Sequence, residues 1–509
     1  MKENSEKVNR VKESAWMAGY VLGIDQSTQG TKALLFDEHG RLVCRSDLAH
    51  RQIVDERGWV EHDPMEIQQN VTQVVKNLVE KAQIDKNQIQ VLVISNQRET
   101  AMVWNRLTGE PVYNAVVWQC GRGAVICEEL KKDGHEDMIR KHTGLQLSPY
   151  FSAAKIAWVL RNVAGAKEEA GKGNLCCGTM DSWLVYRLTG KKEFKTDYSN
   201  ASRTQLFNVQ SLTWDEEVCR LFGIPVSCLA QVTDSDGEYG CTDFEGYLDH
   251  PIPIRSVFGD SHGALFGQGC LNQGMIKATY GTGSSIMMNI GETPVFSERV
   301  VTSLGWKLEG KVNYVLEGNI NYTGAVVSWL KKDLQIIDSD SESQQLAEDA
   351  NPEDTTYLVP AFSGLGAPYW DSRARAVLWG MSRTTKKAEV VKAALESIAY
   401  QITDVLEAMC NASGIGISEL RVDGGPTKNR YLMQFQSDIA GITVQVPSTE
   451  ELSGMGAAYA AGIAAGIYEK QKLFQQIQRK SFQPQMDAQI REKRYHGWKE
   501  AVHKVLTRD

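Results

Sequence analysis

Short hydrophobic runs near the start of the chain are separated by polar loops. The run 20–25 ends in the carboxylate of Asp25 and is followed by small hydroxylic residues. This pattern predicts a buried strand that leads into a loop of phosphate size. A second run at 33–36, a polar turn and a third run at 41–43 predict two more strands joined tightly.

Helical patterns then alternate with strands. A strand is predicted at 91–95, and helices are predicted at 121–132 and 153–163. This alternation is typical of an α/β fold. A long amphipathic pattern at 388–409 predicts a further helix.

The same rhythm restarts in the second half of the chain. A strand at 276–280, a loop at 281–285 and a return strand at 286–290 repeat the order seen at the beginning, and a strand at 420–422 follows later. We therefore expect two similar α/β domains with a cleft between them.

Two late segments are predicted to be helices that pack on the body. Segment 455–467 is rich in Ala and Gly, which favours close packing behind a strand over a membrane or dimer face. At the C-terminal end, the spacing of Ile490, Tyr495, Trp498 and Val502 predicts an amphipathic helix that docks through these side chains.

Composition narrows the class of protein. The chain has 509 residues, of which 42% are hydrophobic and 23% charged, as expected for a folded protein of two or more domains. The net charge of -8 disfavours nucleic acid and anionic lipid as partners. Ten scattered cysteines without a CxxC pair predict neither disulfides nor zinc, and favour a reducing compartment.

Neither a secretory signal nor membrane insertion is expected. Residues 1–19 mix both charges and lack an apolar core, and no stretch supplies the roughly 20 apolar residues of a membrane span. We therefore expect an N-terminal extension at 1–19 and a cytoplasmic protein.

Three polar or glycine-rich loops, each following a strand, are candidates for phosphate binding. They lie at 25–32, 281–283 and 423–429, and none has a dinucleotide or Walker signature. The first, taken alone, is more often a Ser-rich hairpin turn. Lys32 adds positive charge there, and Asp25 is suited to a hydrated magnesium ion. Three such loops together predict a nucleotide held across a cleft.

The acceptor chemistry is predicted around Asp260, which follows an apolar strand at 256–258. Such an Asp is usually a helix cap, but in phosphoryl transfer it would accept the proton of an attacking hydroxyl. Segment 96–100 suits a polyhydroxyl ligand, although alone it is more often a surface salt bridge. Trp118 and Tyr150 could supply apolar walls or belong to the core.

These motifs, in this order, resemble the FGGY carbohydrate kinases over roughly residues 18–503, and most closely the members that phosphorylate glycerol. The residues that carry the resemblance are Asp25-Gln26-Ser27-Thr28, Trp59 to Pro64, Asn96 to Thr100, Tyr150 to Trp158, Gly259-Asp260, Gly281-Thr282-Gly283, Gly364 to Trp370 and Asp423-Gly424-Gly425.

The resemblance implies two actin-type (ribonuclease H-like) ATPase domains around a central cleft, at 20–265 and 266–509. It implies ATP-dependent phosphorylation of a primary hydroxyl of a small polyol, with Asp260 as general base and Asp25 at the magnesium ion. It also implies a homodimer or homotetramer. The polyol site would comprise Arg98, Glu99, Trp118, Tyr150, Asp260, Ser261 and Ser285. The ATP site would comprise Thr28, Gln29, Gly30, Lys32, Thr282, Gly324, Ser328, Gly425 and Asn429.

Three positions depart from the pattern of the glycerol-specific members. Lys32 stands where Arg is common, and it keeps the charge without the bidentate geometry. Ser261 and Ser285 stand where Gln and Phe are expected. Loss of an apolar contact of that size is worth about 1–3 kcal/mol, enough to shift substrate preference. A longer polyol or a ketose (erythritol, xylitol, xylulose or ribulose type) is therefore an alternative acceptor.

Two other classes of function compete with a kinase. A sugar-sensing protein without turnover is disfavoured because Asp25 and Asp260 are both present. An actin- or chaperone-like ATPase without an acceptor is disfavoured by Arg98, Glu99 and Trp118.

Overall fold

A computed structural model describes residues 19–507 of the chain. The predicted extension at 1–19 lies, apart from residue 19, outside the described residues. The strands are β1 Tyr20–Gln26, β2 Gly30–Phe36, β3 Leu42–Ala49, β4 Ile53–Val54, β5 Val60–His62, β6 Ile89–Asn96, β7 Ala101–Asn105, β8 Ala115–Val116, β9 Leu175–Thr179, β10 Lys195–Asp197, β11 Phe207–Asn208, β12 Thr213–Trp214, β13 Gln231–Thr233, β14 Cys241–Thr242, β15 Ile252–Gly259, β16 Ile276–Tyr280, β17 Ser284–Gly291, β18 Val301–Leu308, β19 Lys311–Ile320, β20 Tyr357–Val359, β21 Val377–Trp379, β22 Glu419–Asp423, β23 Thr443–Pro447 and β24 Arg479–Phe482.

Helices occupy much of the chain between these strands. They are α1 Pro64–Ala82, α2 Ala124–Lys132, α3 Glu136–Thr143, α4 Ser152–Asn162, α5 Ala166–Gly171, α6 Met180–Leu188, α7 Tyr198–Ala201, α8 Glu216–Phe222, α9 Asp260–Gly267, α10 Gly324–Ser328, α11 Asp340–Asp349, α12 Lys387–Ser413, α13 Arg430–Ala440, α14 Leu452–Ala464, α15 Lys470–Gln475 and α16 Ala488–His503. Short 3-10 turns lie at Lys86–Gln88, Gly121–Gly123, Val226–Cys228 and Gly425–Lys428, and one π-helical turn at Trp329–Asp333.

Two large sheets share one topology. The first has the order β14-β15-β6-β1-β2-β3, and the second β18-β19-β17-β16-β22-β23-β24. In the first, β1 pairs antiparallel with β2 and parallel with β6; in the second, β16 pairs antiparallel with β17 and parallel with β22. The repeated rhythm predicted from the sequence is therefore present in the sheets.

The chain divides into two compact units. The first comprises the chain up to Gly267 with Leu304–Val312 and Glu451–Gln476, and the second comprises Gln268–Ser303, Asn313–Glu450 and the chain from Ile477. Two segments of the second half thus belong to the first unit. The domain boundary at 265/266 stays a prediction.

The apolar pattern of α1 accounts for its place on the first sheet. Asp63 caps the helix by accepting from the Met65 amide, and Pro64 occupies its first turn. Ile67 and Val71 are fully buried with Leu22 and Ile94 of the sheet. Burial of such side chains is worth about 1.5–3 kcal/mol each and fixes the sheet that carries the polar loops.

The Ala/Gly-rich helix α14 packs on α9 within the first unit. A Cβ on Gly456 would lie 1.9 Å from the Gly263 carbonyl oxygen, so only glycine permits this approach. Close packing, as predicted, is confirmed. Between residues 19 and 507, no helix has both the length and the apolar character needed to cross a bilayer.

The C-terminal helix is predicted correctly, but the prediction that Ile490 docks on the body is wrong. Trp498 and Val502 are buried, whereas Ile490 is 51% exposed. At 100° per residue, Ile490 lies about 80° from Trp498, on the side opposite Tyr495 and Val502. Within the described residues, the ten cysteine thiols are free.

Candidate active site

The polar residues of the first unit meet at one edge of its sheet. Strands β1, β6 and β15 run parallel, with Asp25 opposite Ser95 and Gly259 opposite Asn96. Residues that follow the carboxyl ends of neighbouring parallel strands lie side by side. The fold therefore brings Asp25, segment 96–100 and Asp260 to the same edge.

Arg98, Glu99 and Asp260 form a charged cluster at this edge. Arg98 Nε lies 3.2 Å from Asp260 Oδ1. The side chains of Arg98 and Glu99 are 5% and 2% exposed, whereas Asp260 is 36% exposed. A surface salt bridge, the alternative weighed for segment 96–100, is therefore wrong. Asp260 is the member of the cluster whose carboxylate is accessible to solvent.

Arg203 completes the cluster and was not predicted from the sequence. Its Nε donates to Glu99 Oε1 over 2.6 Å, and both side chains are buried. Such charge-assisted bonds are among the stronger ones in proteins, so Arg203 fixes the direction of the Glu99 carboxylate. A lone Arg after a short helix gives no local signal of this role.

Trp118, Tyr150 and Thr28 are also brought together. Trp118 Nε1 donates to Thr28 Oγ1 over 2.9 Å. The rings of Trp118 and Tyr150 meet edge to face, with centroids 5.5 Å apart. Both rings are partly exposed, so they form a wall and not an interior core.

The loop after β1 is a tight turn. The Ser27 amide donates to the Gly30 carbonyl over 2.9 Å, and Gln29 is exposed at the tip. A Cβ on Gly30 would lie 2.5 Å from the Leu48 carbonyl oxygen, so this glycine lets β2 approach β3.

Lys32 points toward carboxylates. Its Nζ lies 2.8 Å from Glu451 Oε2 and 3.9 Å from Asp25 Oδ2. Glu451, at the start of α14, also accepts from Arg45, and no pattern in the sequence predicts its place beside the loop. The carboxylates of Asp25 and Glu451 and the cations of Lys32 and Arg45 place two negative and two positive charges beside the loop.

Asp25 has the properties of a cation ligand. Burial raises its pKa to about 6, with Lys32 acting in the opposite direction. Its Oδ1 atom is buried and has no hydrogen-bond partner among the described residues. Within residues 19–507, no cluster of three His, Cys, Asp or Glu side chains is suited to a metal. A single carboxylate fits Mg²⁺, which keeps several waters and commonly takes phosphate oxygens.

Two buried histidines lie behind the loop. The His50 amide donates to the Gln29 carbonyl, and the His50 and His62 rings meet edge to face with centroids 4.4 Å apart. Burial and, as the next cause, the charge of His50 together lower the pKa of His62 to about 4, and burial also lowers the pKa of His50. Both rings are therefore neutral at pH 7.

The buried His62 predicts that part of the free energy of unfolding is lost in acid. The unfolded His62 takes up a proton near pH 6.5 but the folded one only near 4, so stability present above pH 6.5 is lost as the pH falls toward 4. At pH 5 the loss is about 2 kcal/mol. Urea unfolding of wild type and His62→Phe at pH 7.5 and 5 measures it: the variant should lose less. An equal pH dependence in both would contradict the assignment.

The second unit presents its predicted loops at the corresponding edge of its sheet. Strands β16 and β22 run parallel, with Thr279 opposite Asp423. The loops 281–283 and 424–429 follow these strands directly. Gly424 has a φ of 99°, and a Cβ there would lie 2.0 Å from the Tyr280 carbonyl oxygen. Only glycine allows this turn.

These loops line a cavity of about 1150 Å³. Of the residues predicted for the nucleotide, five line it: Thr282, Gly324, Ser328, Gly425 and Asn429. The Gly324 amide donates to the Gly281 carbonyl over 2.9 Å, which joins α10 to the 281–283 loop. Asn429 caps α13 by accepting from the Leu432 amide over 3.0 Å.

Aromatic rings on the cavity wall were not predicted. Phe362 packs on Tyr322 and Trp329, with ring centroids 5.1 and 4.8 Å away. All three line the cavity. A cavity with polar glycine loops on one side and aromatic rings on another suits a ligand with phosphates and a flat base.

Ser261 and Ser285, which stand where Gln and Phe are expected, each have a polar atom close to a carboxylate. The Ser261 amide donates to Asp260 Oδ1 over 2.6 Å in the first unit. In the second unit, Ser285 Oγ lies 3.3 Å from Oε1 of the buried Glu317. Both hydroxyl side chains are partly exposed.

Comparison with protein families identifies the chain. Models of the N-terminal and C-terminal domains of the FGGY family of carbohydrate kinases match residues 20–267 and 276–465. The chain belongs to the FGGY family of carbohydrate kinases. The predicted fold class is confirmed: α/β, with two kinase domains of the actin-type (ribonuclease H-like) kind.

Several FGGY kinases of known name are similar over nearly their whole length. Glycerol kinase 1 of Thermotoga maritima is 49% identical over 491 residues, which cover 96% of this chain and 100% of that protein. A glycerol kinase of Caldanaerobacter subterraneus is 46% identical over 494 residues, which cover 96% and 99%.

Solved structures agree with this membership. A crystal structure of the Plasmodium falciparum glycerol kinase with ADP has a TM-score of 0.90 and 36% identity, covering 96% of this chain and 99% of that one. A gluconate kinase of Lactobacillus acidophilus has a TM-score of 0.86 over 96% and 99%, and at 21% identity it shows the shared fold.

Proposed function

We propose that this FGGY kinase transfers the γ-phosphoryl group of ATP to a primary hydroxyl of glycerol, giving glycerol 3-phosphate and ADP. The observation that carries the proposal is the Arg98–Glu99–Asp260 cluster at the sheet edge, with Asp260 the exposed member. Relatives named glycerol kinase, 46–49% identical over nearly the whole chain, support glycerol as the acceptor.

In this mechanism, Asp260 accepts the proton of the attacking hydroxyl as the oxygen bonds to phosphorus. Arg98, 3.2 Å away, orients the carboxylate. Glu99, fixed by Arg203, accepts hydrogen bonds from the neighbouring hydroxyls. Trp118 and Tyr150 pack on the carbon chain and exclude water on that side.

Different residues are assigned to the nucleotide and to the metal ion. ATP lies in the cavity of the second unit, with its phosphates on the glycine loops. Thr28, Gln29, Gly30 and Lys32 of the first unit stay predicted phosphate-binding residues. Asp25 would hold Mg²⁺, which when bound neutralises charge on the transferring group.

A substitution at Gly425, which lines the cavity, tests the nucleotide site. A Cβ there meets no atom within 4 Å, so Gly425→Val introduces no clash at Cβ, and it adds bulk at a residue that lines the cavity. We expect the Kd for ADP to rise about tenfold or more, measured by isothermal titration calorimetry. Gly416→Val, at an equally open position away from the cavity, is the control. Equal ADP affinity in both variants would contradict the assignment.

Glycerol is favoured over the alternative acceptors by the named relatives. Ser261 and Ser285 remain candidates for tuning the preference among polyols. Cytoplasmic location and a homodimeric or homotetrameric state stay predictions.

The reaction class is tested by ATP turnover with and without glycerol, with products followed by ³¹P NMR. The proposal predicts ADP and glycerol 3-phosphate in equal amounts, and little ADP without acceptor. Equal ADP formation in both samples, with inorganic phosphate as product, would indicate an ATPase instead. Binding of ATP and glycerol without turnover would indicate a sensor.

A further inference from the structure

Lys155 is a fully buried lysine that the mechanism above does not use. It lies in the first turn of α4, and its side chain returns to the turn that precedes the helix. Its Nζ donates to the carbonyl oxygens of Pro149 and Phe151 over 2.8 and 3.1 Å, and also to that of Tyr150.

Three acceptors match the ammonium form of the side chain. An ammonium group has three N–H donors, whereas a neutral amine has two. Burial lowers the pKa of Lys155 to about 7, and the charge of Glu99 opposes this effect. The three carbonyl dipoles also stabilise the charge, because an unpaired buried ammonium would be very costly. Lys155 therefore holds three consecutive peptide groups in one arrangement.

The same turn is attached to the acceptor cluster. Ser152 Oγ donates to the Glu99 carbonyl oxygen over 3.1 Å. The Arg203 guanidinium lies 5.1 Å from the centroid of the Phe151 ring. The middle residue of the turn, Tyr150, carries the ring that meets Trp118. Any shift of the turn therefore moves the aromatic wall relative to Glu99.

We propose that Lys155 is a positioning residue: its ammonium group fixes the 149–151 turn and thereby the Tyr150 ring on the acceptor side of the site. This inference rests on the proposed function. It assigns to Lys155 no contact with the acceptor or with the reacting atoms.

Lys155→Met tests the proposal because it keeps most of the side-chain volume and removes all three donors. We expect the KM for glycerol to rise about tenfold or more, since bonds to a charged donor of this kind are lost. The KM for ATP should change less than about threefold, since the nucleotide cavity lies in the second unit and Thr28 is bonded to Trp118, outside the turn. Val159→Ala, a buried change on the same helix, is the control for a general loss of stability.

A double-mutant cycle distinguishes positioning from an independent effect. If Lys155 acts through the Tyr150 ring, Lys155→Met should add less than about twofold to the KM for glycerol in a Tyr150→Ala background. Effects that multiply would overturn the proposal. The proposal would also be overturned if Lys155→Met raised the KM values for both glycerol and ATP and Val159→Ala did the same.

Amide hydrogen exchange gives a readout that does not depend on turnover. The amides of Tyr150 and Phe151 donate to Ser148. In Lys155→Met they should exchange about tenfold faster or more, while Val159→Ala should leave them protected. Unchanged exchange would overturn the proposal. The two proposals can fail separately. If these amides exchange faster in Lys155→Met but the wild-type protein phosphorylates no glycerol, the proposed function is wrong and the role of Lys155 in the turn stands.

Discussion

Replacing Asp260 with Asn should lower kcat about a thousandfold, within the range expected for loss of a general base. The amide keeps the size of the side chain but cannot accept the hydroxyl proton. The KM for glycerol should change less than about threefold, because Arg98, Glu99 and the aromatic wall remain in place. A coupled assay of ADP formation at saturating ATP and magnesium measures both constants.

The control for this variant is Asp137→Asn, the same chemical change at a side chain that is 76% exposed. It should retain wild-type kinetics. If Asp260→Asn kept more than a tenth of wild-type kcat, Asp260 would not be the general base, and the proton would have to reach another group.

Replacing Asp25 with Asn should raise the magnesium concentration needed for half-maximal activity about tenfold or more and lower kcat. The buried Oδ1 of Asp25 has no partner among the described residues, and the neutral amide binds a hard cation more weakly. Loss of the carboxylate also leaves Lys32 with Glu451 as its acidic neighbour. A magnesium titration at fixed ATP measures the change.

Asp47→Asn is the matched control, because Asp47 lies on β3 of the same sheet and its side chain is 62% exposed. Its magnesium dependence should equal that of wild type. An unchanged magnesium requirement in Asp25→Asn would remove Asp25 from the metal site and leave it a structural role beside Lys32.

Much of the fold could be predicted because its strands are continuous apolar runs. The predicted strand at 20–25 differs from β1 by one residue, and the predicted helix at 388–409 lies inside α12. The ends of the helices and strands are predicted less accurately than their presence. The Ala/Gly-rich helix was expected at 455–467 but spans Leu452–Ala464, and Gly466, with a φ of 70°, terminates it.

The candidate site could be predicted only where a residue follows a strand. Asp25 and Asp260 come directly after apolar runs, so their meeting at one sheet edge follows from parallel pairing. Arg203 is 104 residues from Glu99, and Lys155 acts on the turn before its own helix. Arg203 has no pattern in the sequence, because its role depends on tertiary packing. Lys155 lies in the Tyr150 to Trp158 motif, but the motif does not show that its ammonium group turns back to the preceding carbonyl groups.

The proposed role in glycerol phosphorylation is tested most directly by kcat/KM across a panel of acceptors at fixed ATP and magnesium. The panel comprises glycerol, erythritol, threitol, xylitol, ribitol, dihydroxyacetone, xylulose and ribulose. Glycerol should exceed each of the others by about tenfold or more, a difference of about 1.4 kcal/mol in transition-state binding. A four- or five-carbon polyol or a ketose that exceeded glycerol by that margin would contradict the proposal and assign Ser261 and Ser285 to acceptor choice.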